Sequence, residues 1–162
     1  RIQKVDTGAV IRGGLSMNKA ASDTKPGFLD IPEDIPKVYA DEKALLFVLN
    51  QIVYNAVTYK KAGEVPKIAF SFLAAGDNKL LLHIRDNGCG ISSEDLPRVF
   101  EKGFTGKNGR ENRRSTGMGL YLCKKYVTGS ALALVSVPRK GSIPGSPSAF
   151  RFLRKSKISA RM

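Results

Sequence analysis

An acidic residue followed by two glycines is the first feature of this chain that could do chemistry. Asp86 ends the segment 80–86, where apolar side chains alternate with a period of two, as on one face of a strand. The same alternation puts Asp86 on that buried face, where a carboxylate is costly unless a hydrogen-bond donor meets it. Gly88 and Gly90 let the backbone turn tightly and come close to a ligand. The segment is therefore either a ligand-binding loop or a plain Asp-Asn-Gly turn between strands.

A polar stripe on a predicted helix is the second such feature. Gln51, Asn55 and Tyr59 are spaced i, i+4 and i+8, so they share one side of a helix predicted over 41–60. Asn55 stands in an otherwise apolar stretch, and a buried amide needs hydrogen-bond partners. Its carbonyl oxygen is a hard ligand that suits Mg²⁺. The alternative is an asparagine satisfied by the backbone or by a neighbouring side chain.

The third feature is Gly117-Met118-Gly119, which stands just before a predicted helix. The free amides and positive dipole end of a helix N-terminus favour phosphate, and glycine lets phosphate approach. A Walker loop is excluded because no Gly-Lys-Ser/Thr follows. A dinucleotide-binding motif is excluded because the glycines do not follow a strand in a βαβ unit. Taken alone, the motif is also compatible with a plain turn.

Size and composition indicate one soluble globular domain. The chain has 162 residues, of which 42% are hydrophobic and 25% are charged. No run approaches the roughly 18 apolar residues of a membrane span, and no signal peptide is visible. Because the chain begins with arginine, we expect it to be a piece of a longer protein, whose membrane anchor could lie outside it.

The net charge of +13 raises the possibility of nucleic-acid binding. The cations crowd into two places, a C-terminal tail and one glycine-rich loop that contains Lys102, Lys107, Arg110, Arg113 and Arg114. Neither cluster has interleaved aromatic residues for base stacking, so no nucleic-acid partner is expected. The loop cluster is instead a candidate cradle for a polyphosphate. Cys89, Cys123 and the single His83 are too few for a zinc site.

The elements that would position these residues follow from hydrophobic periodicity and turn signals. The first 40 residues, rich in glycine and proline, are predicted to be short strands or loops. The elements predicted after them are a helix over 41–60, strands over 67–73 and 80–86, a short helix through Pro97 to Glu101 capped by Ser92 or Ser93, a long loop over 102–116, a helix to about Val127, and strands over 131–137 and 149–153. This order predicts a two-layer α+β sandwich with a mostly antiparallel sheet covered on one face by helices. The long loop is typical of a functional lid or a disordered segment.

Four segments together resemble the boxes of one enzyme family. Residues 45–59 (LLFVLNQIVYNAVTY) look like an N box and 86–91 (DNGCGI) like a first glycine box. Residues 100–104 (FEKGF) resemble an F box and 116–120 (TGMGL) a second glycine box. Their types and order, over about residues 38–128, resemble the catalytic ATP-binding domain of bacterial sensor histidine kinases, within the GHKL (Bergerat-fold) ATPases. Residues 97–122 are further similar to kinases that work beside peptide-antibiotic ABC transporters.

The resemblance implies a role for each matching position. Asp86 would accept the adenine amino group, Asn55 would bind Mg²⁺ and Tyr59 would pack near the nucleoside. The remaining implied contacts to nucleotide are Gly88, Gly90, Ile91, Thr116, Gly117, Gly119 and Leu120. Candidate catalytic residues, beside Asn55, are Gln51 and the lid cations Lys107, Arg113 and Arg114. Phe100 and Phe104 would anchor the lid rather than touch ATP.

The implied function is transfer of the ATP γ-phosphoryl group to a histidine on a separate dimerisation domain, with a response regulator and a membrane transporter as further partners. The implied organisation is residues 1–37 as a poorly matched N-terminal part, 38–154 as the ATP-binding domain with its lid at 102–116, and 155–162 as a basic tail. The domain would be cytoplasmic, in a membrane-anchored protein.

Two positions depart from the family pattern. Gln51 stands where the family commonly has its first asparagine, and Thr58 stands where a lysine or arginine often contacts phosphate. Lys60 or Lys61 is the candidate to supply the missing cation. An ATP-binding module with little or no phosphoryl transfer is therefore the alternative function.

Overall fold

The computed structural model describes residues 1–16, 28–74, 80–107, 115–128, 132–137 and 149–154. The elements in these ranges are β1 (Ile2–Val5), α1 (Thr7–Ser16), β2 (Leu29–Asp30), β3 (Val38–Asp41), α2 (Glu42–Thr58), β4 (Ile68–Ala74), β5 (Leu80–Asp86), a 3₁₀ turn (Leu96–Arg98), α3 (Gly119–Thr128), β6 (Leu132–Val137) and β7 (Ala149–Arg154). The predicted strands and the two long helices are all present. The bounds of β5 are those predicted, and the other bounds differ from the predicted ones by at most three residues.

The main sheet has five strands in the order β2-β4-β5-β7-β6. Only β2 and β4 pair in parallel, and the remaining neighbours are antiparallel. A separate two-stranded sheet joins β1 to β3. Phe70 of β4 pairs with Ile84 of β5, and both side chains are buried in the same apolar cluster as the helices. Leu73 is 58% exposed, so the helices cover one face of the sheet and the predicted two-layer α+β architecture is confirmed.

Helix α2 lies at the centre of the core because its apolar residues recur at helical spacing. Its buried side chains are Ala44, Leu45, Val48, Leu49, Ile52, Val53 and Ala56. Asp41 caps the helix: its Oδ1 accepts the Ala44 N–H at 3.1 Å. The helix ends at Thr58, where the Tyr59 N–H still donates to the Asn55 carbonyl at 2.8 Å. The polar stripe is thereby held on a rigid element.

Helix α1 corrects the prediction of only strands or loops in the first 40 residues. Asp6 caps it by accepting the Ala9 N–H at 3.0 Å, and Ile11 is fully buried in the core. Glycines lower helix propensity, which is why the segment looked irregular, but packing against α2 overrides that preference. A side chain at Gly14 would run into Leu46 of α2, so this glycine permits the close approach of the two helices.

The segment after β5 is less helical than predicted. The Ser92 Oγ accepts the Asp95 N–H at 3.1 Å and so holds the turn before the helical segment, but the N-cap of that segment is Asp95 and no side chain caps it. The helical turn itself covers only Leu96–Arg98, whereas the prediction extended through Pro97 to Glu101. Turns follow it and lead into the loop at 102–107.

Two negative findings concern the described residues alone. No helix there is long and apolar enough to cross a membrane. Within the same ranges, no group of three or more His, Cys, Asp or Glu side chains could hold a metal ion.

Cys123 is fully buried, and its burial raises the pKa of the thiol to about 12, so it remains protonated at neutral pH.

We expect Leu49→Ala to lower the free energy of unfolding by about 3 kcal/mol, because it opens a cavity beneath the sheet. Chemical denaturation followed by circular dichroism measures the change. Lys43→Ala, at an exposed position of the same helix, is the control and should change stability by less than about 0.5 kcal/mol. Equal effects of the two substitutions would contradict the placement of α2.

Candidate functional site

The polar stripe of α2 forms one side of the candidate site. Gln51, Asn55 and Tyr59 are all half-buried, between the apolar stripe and solvent. The Gln51 Nε2 donates to the Asn55 Oδ1 over a long 3.4 Å. Asn55 is thus partnered by a neighbouring side chain, one of the alternatives that the sequence left open. A carbonyl oxygen has two lone pairs, so Oδ1 retains capacity for a further donor or a cation.

The loop after β5 turns around Asp86. The Asp86 carboxylate is half-buried, and its Oδ1 accepts the Gly88 N–H at 2.8 Å. Burial raises the pKa of Asp86, and the bond from Gly88 offsets part of that rise. A Cβ at Gly88 would lie 2.8 Å from Asp86 Oδ1 and 2.9 Å from the Tyr59 carbonyl oxygen, so only glycine fits. Gly90 has a φ of +76°, a conformation that favours glycine.

The adjoining Asn87 fastens this loop on its other side, a role that the sequence did not reveal. Its Oδ1 accepts the Lys67 N–H at 2.8 Å, and its Nδ2 donates to the Val65 carbonyl at 3.1 Å. The Asp-Asn-Gly sequence therefore does form a turn. That turn also fixes the direction of the Asp86 carboxylate.

Tyr59 joins the end of α2 to both glycine segments. Its carbonyl oxygen accepts the Cys89 N–H at 2.9 Å, which attaches the loop after β5. Its hydroxyl donates to the Ser115 Oγ at 2.8 Å, across 56 positions of sequence. Ser115 precedes the segment 116–119, so one residue contacts both loops. Ser115 was missed because a lone serine in a polar segment carries no sequence signal of such a contact.

The second glycine segment requires small residues for packing. Gly117 has a φ of +66°, and its carbonyl accepts the Gly103 N–H at 3.1 Å. A Cβ there would collide with the backbone of Gly103 and Phe104. At Gly119 a Cβ would collide with the Gln51 side-chain amide. Helix α3 begins at Gly119, which adjoins the Gln51 amide, and the first N–H groups of a helix have no partner within the helix.

The segment that leads into the lid is held by aromatic and carboxylate contacts. Phe100 is partly buried and packs against the core, as predicted for an anchor. The Arg98 guanidinium lies 4.5 Å from the centre of the Phe104 ring. Asp95 Oδ2 accepts the Lys107 N–H at 3.0 Å, a contact that the sequence did not indicate.

The remaining predicted site residues divide into three groups. Ile91 and Leu120 are partly buried and pack against the core cluster, beside the two glycine segments. Thr116 and Lys107 are exposed. Arg113 and Arg114, like the other lid residues at 108–114, lie outside the described residues.

This arrangement suits a ligand with two chemically different ends. At one end a half-buried carboxylate with a raised pKa can accept a hydrogen bond from a ligand donor. At the other end, the amides at the start of α3 suit an anion, and the side-chain oxygen Oδ1 of Asn55 suits the cation that accompanies it. The two ends are held in register by Tyr59.

The chain is similar to known proteins of one family. Residues 40–153 match the model of the family described as histidine kinase-, DNA gyrase B-, and HSP90-like ATPase. The sensor protein BceS of Bacillus subtilis is 40% identical over 96 residues, covering 59% of this chain and 28% of that protein. The sensor histidine kinase YxdK of the same organism is 37% identical over 119 residues, covering 74% of this chain and 35% of that protein. The chain thus spans about a third of the length of these relatives.

Solved structures show the same fold. The mycobacterial sensor histidine kinase MprB superposes with a TM-score of 0.75 at 20% identity, covering 95% of this chain and 97% of that one. The catalytic domain of the histidine kinase ThkA gives a TM-score of 0.70 at 21% identity, covering 95% of each chain. With the matched family spanning most of the sequence, the chain belongs to the histidine kinase-, DNA gyrase B-, and HSP90-like ATPases.

Proposed function

We propose that this chain is the catalytic ATP-binding domain of a two-component sensor histidine kinase and that it delivers the ATP γ-phosphoryl group to a histidine on a separate dimerisation domain. The observation that carries the proposal is the double attachment of Tyr59, to Cys89 of one glycine loop and to Ser115 beside the other. It brings the candidate base-binding and phosphate-binding segments to the end of one helix. The sensor-kinase relatives support the same function.

Asp86 recognises the adenine end of the ATP. Its half-buried carboxylate accepts the exocyclic amino group, which supplies the donor that a desolvated carboxylate needs. Gly88 and Gly90 keep side chains away from the base, and Ile91 offers an apolar contact beside them. Tyr59 packs near the nucleoside while its hydroxyl is engaged by Ser115.

The phosphate end uses main-chain amides and a single side-chain metal ligand. The residues present fit Mg²⁺, because the side-chain oxygen Oδ1 of the half-buried Asn55 is a hard ligand and Mg²⁺ takes its other ligands from phosphate and water. When bound, Mg²⁺ neutralises charge on the phosphates. The amides of Gly117 and Gly119 orient the phosphate chain, while the Met118 N–H donates to the Thr116 Oγ1 over a long 3.4 Å. Lys107, Arg113 and Arg114 are the candidate lid cations.

Transfer by this domain consists mainly of positioning, because phosphoryl transfer asks little covalent chemistry of the protein. In this proposal residues 38–154 form the ATP-binding domain, with the lid at 102–116, residues 1–37 completing it and 155–162 forming a basic tail. The acceptor histidine and the response regulator are its partners. The full-length protein is anchored in the membrane, with this domain in the cytoplasm and a peptide transporter beside it.

We expect Asp86→Asn to stabilise the ATP-free domain and to weaken ATP binding. Burial raises the pKa of Asp86, so the folded state binds the proton more tightly than the unfolded chain and the ionised carboxylate costs stability at pH 7. Asparagine still accepts the Gly88 N–H but carries no charge. Its affinity for ATP should fall about tenfold or more, since a hydrogen bond to a charged acceptor contributes about 1.5–3 kcal/mol.

Denaturation curves and ATP titrations at several pH values measure both effects. The extra stability of Asp86→Asn should shrink as the pH falls through the raised pKa, where the wild-type carboxyl becomes neutral. Asp34→Asn, at an exposed position, is the control. A variant that is less stable than the wild type at pH 7, or that binds ATP equally well, contradicts the assignment.

Thr58 favours a second function, that of an ATP-binding module with little or no transfer. Its side chain is half-buried near the end of α2 and carries no charge. At this position it removes one cation from the set that neutralises the transferring group. Lys60 and Lys61 are exposed and close in sequence, and they are the candidates to replace it.

A transfer assay separates the two functions. We expect the wild-type chain, mixed with the histidine-bearing dimerisation domain of the same kinase and labelled ATP, to label the histidine in a Mg²⁺-dependent reaction. Asn55→Ala should reduce the rate by about 100-fold or more, because electrostatic stabilisation of the transferring group is lost. If the wild type binds ATP but labels nothing, the binding-module function is correct.

A further inference from the structure

The polar stripe of α2 is attached to the second glycine segment at two places. Tyr59 bonds to Ser115, and Gln51 packs against Gly119. The two helix residues are eight positions apart, which corresponds to about 12 Å along the axis. Their two partners are only four positions apart, a span of at most about 14 Å. Because Tyr59 contacts residue 115 and Gln51 contacts residue 119, the segment 115–119 runs antiparallel to α2, with a bend at Gly117 and with Asn55 on the stretch of helix between the two contacts.

The contact at Tyr59 is a directional hydrogen bond. Its 2.8 Å length is typical for two hydroxyl groups, and both side chains are half-buried. The main chain of Tyr59 is held at the same time, because its carbonyl accepts the Cys89 N–H. The hydroxyl thus holds the Ser115 side chain in place relative to the end of α2.

The contact at Gln51 is one of shape. The Gln51 amide occupies the space where a Cβ of residue 119 would lie, so any side chain there would displace the amide. The same amide donates to the Asn55 Oδ1. Gln51 therefore touches both the start of α3 and the candidate metal ligand.

We propose that Gln51 and Tyr59 are positioning residues that form a two-point clamp, defined as the pairs Gln51–Gly119 and Tyr59–Ser115. The clamp holds the amides at 117–119 beside Asn55 and so sets the distance between the phosphate-binding amides and the metal-binding oxygen. This inference rests on the proposed function. It assigns Gln51 to positioning, where its place in the motif suggested a direct part in catalysis.

The hydroxyl bond of the clamp acts on the phosphate end of the site, whereas the Tyr59 ring and carbonyl, which adjoin the adenine end, do not depend on it. Loosening it should weaken the binding of ATP with Mg²⁺, while the affinity for adenosine, held by Asp86, stays unchanged. A purely structural contact would lower both affinities together. The ratio of the two affinities is therefore the diagnostic quantity.

The test uses Tyr59→Phe, Ser115→Ala and the double variant. Each removes only the hydroxyl-to-hydroxyl bond, since Tyr59→Phe keeps the ring. Each single variant should lower the affinity for Mg²⁺-ATP by about fivefold, as expected for one hydrogen bond, and the double variant should lose no more. Adenosine affinity should change by less than about twofold, which is the usual size of the effect of a substitution that removes no contact to the ligand. Calorimetry measures ATP binding, and amide chemical shifts measure adenosine binding.

Tyr54→Phe is the matched control, because Tyr54 lies on the same helix but is 45% exposed. It should leave both affinities unchanged. Additive losses in the double variant, or equal losses for adenosine and ATP, would overturn the clamp. If wild type binds no Mg²⁺-ATP, the proposed function itself fails; if it binds and the clamp variants match it, only the clamp fails.

A second pair tests the Gln51 contact. Gly119→Ala should lower the affinity for Mg²⁺-ATP, because the new methyl group displaces the Gln51 amide from its place between Gly119 and Asn55. Adding Gln51→Ala removes that amide altogether, so the Mg²⁺-ATP affinity of the double variant should stay as low as that of Gly119→Ala, while adenosine affinity stays unchanged. Full recovery of Mg²⁺-ATP affinity in the double variant, or an equal loss of adenosine affinity, would contradict the role of Gln51.

Discussion

The attachment of Tyr59 to two separate loops is the constraint on which the site depends. Its carbonyl oxygen accepts the Cys89 N–H, while its hydroxyl donates to Ser115. Tyr59 is placed by the end of α2, and α2 is placed by seven buried apolar or small residues in the core. The position of the two glycine loops therefore follows from the packing of one helix. A shift of that helix would move the loop contacts with it.

The site also contains a group that folding alone would not favour. Asp86 ends a core strand, and its burial raises the pKa of the carboxyl group because the charged form is poorly solvated. The protein offsets only part of that cost through the Gly88 N–H. A residue that costs stability in the free protein is understandable if a ligand supplies the missing donor. In the proposed function, the adenine amino group supplies that donor.

Much of this arrangement could be predicted, because periodicity and spacing are local properties. The alternation before Asp86 and the helical spacing of Gln51, Asn55 and Tyr59 led to the right strand and helix. Helix α1 was missed since its glycines lower helix propensity and only packing against α2 restores it. The Tyr59–Ser115 contact joins residues 56 positions apart, and no single-sequence pattern indicates such a bond. The roles of the site residues remain predictions.

An NMR titration of the ¹⁵N-labelled chain with Mg²⁺-ATP tests most directly whether α2 and the two glycine loops form one ATP site. We expect saturable amide shifts at Gln51, Asn55 and Tyr59, in the loop at 86–91, in the segment 115–120 and in the lid at 102–116. Helix α1 carries no residue of the proposed site, so the chemical shifts of its amides should stay unchanged. Shifts in only one of the two loops, or shifts spread over the basic surface, would contradict a single site organised by α2.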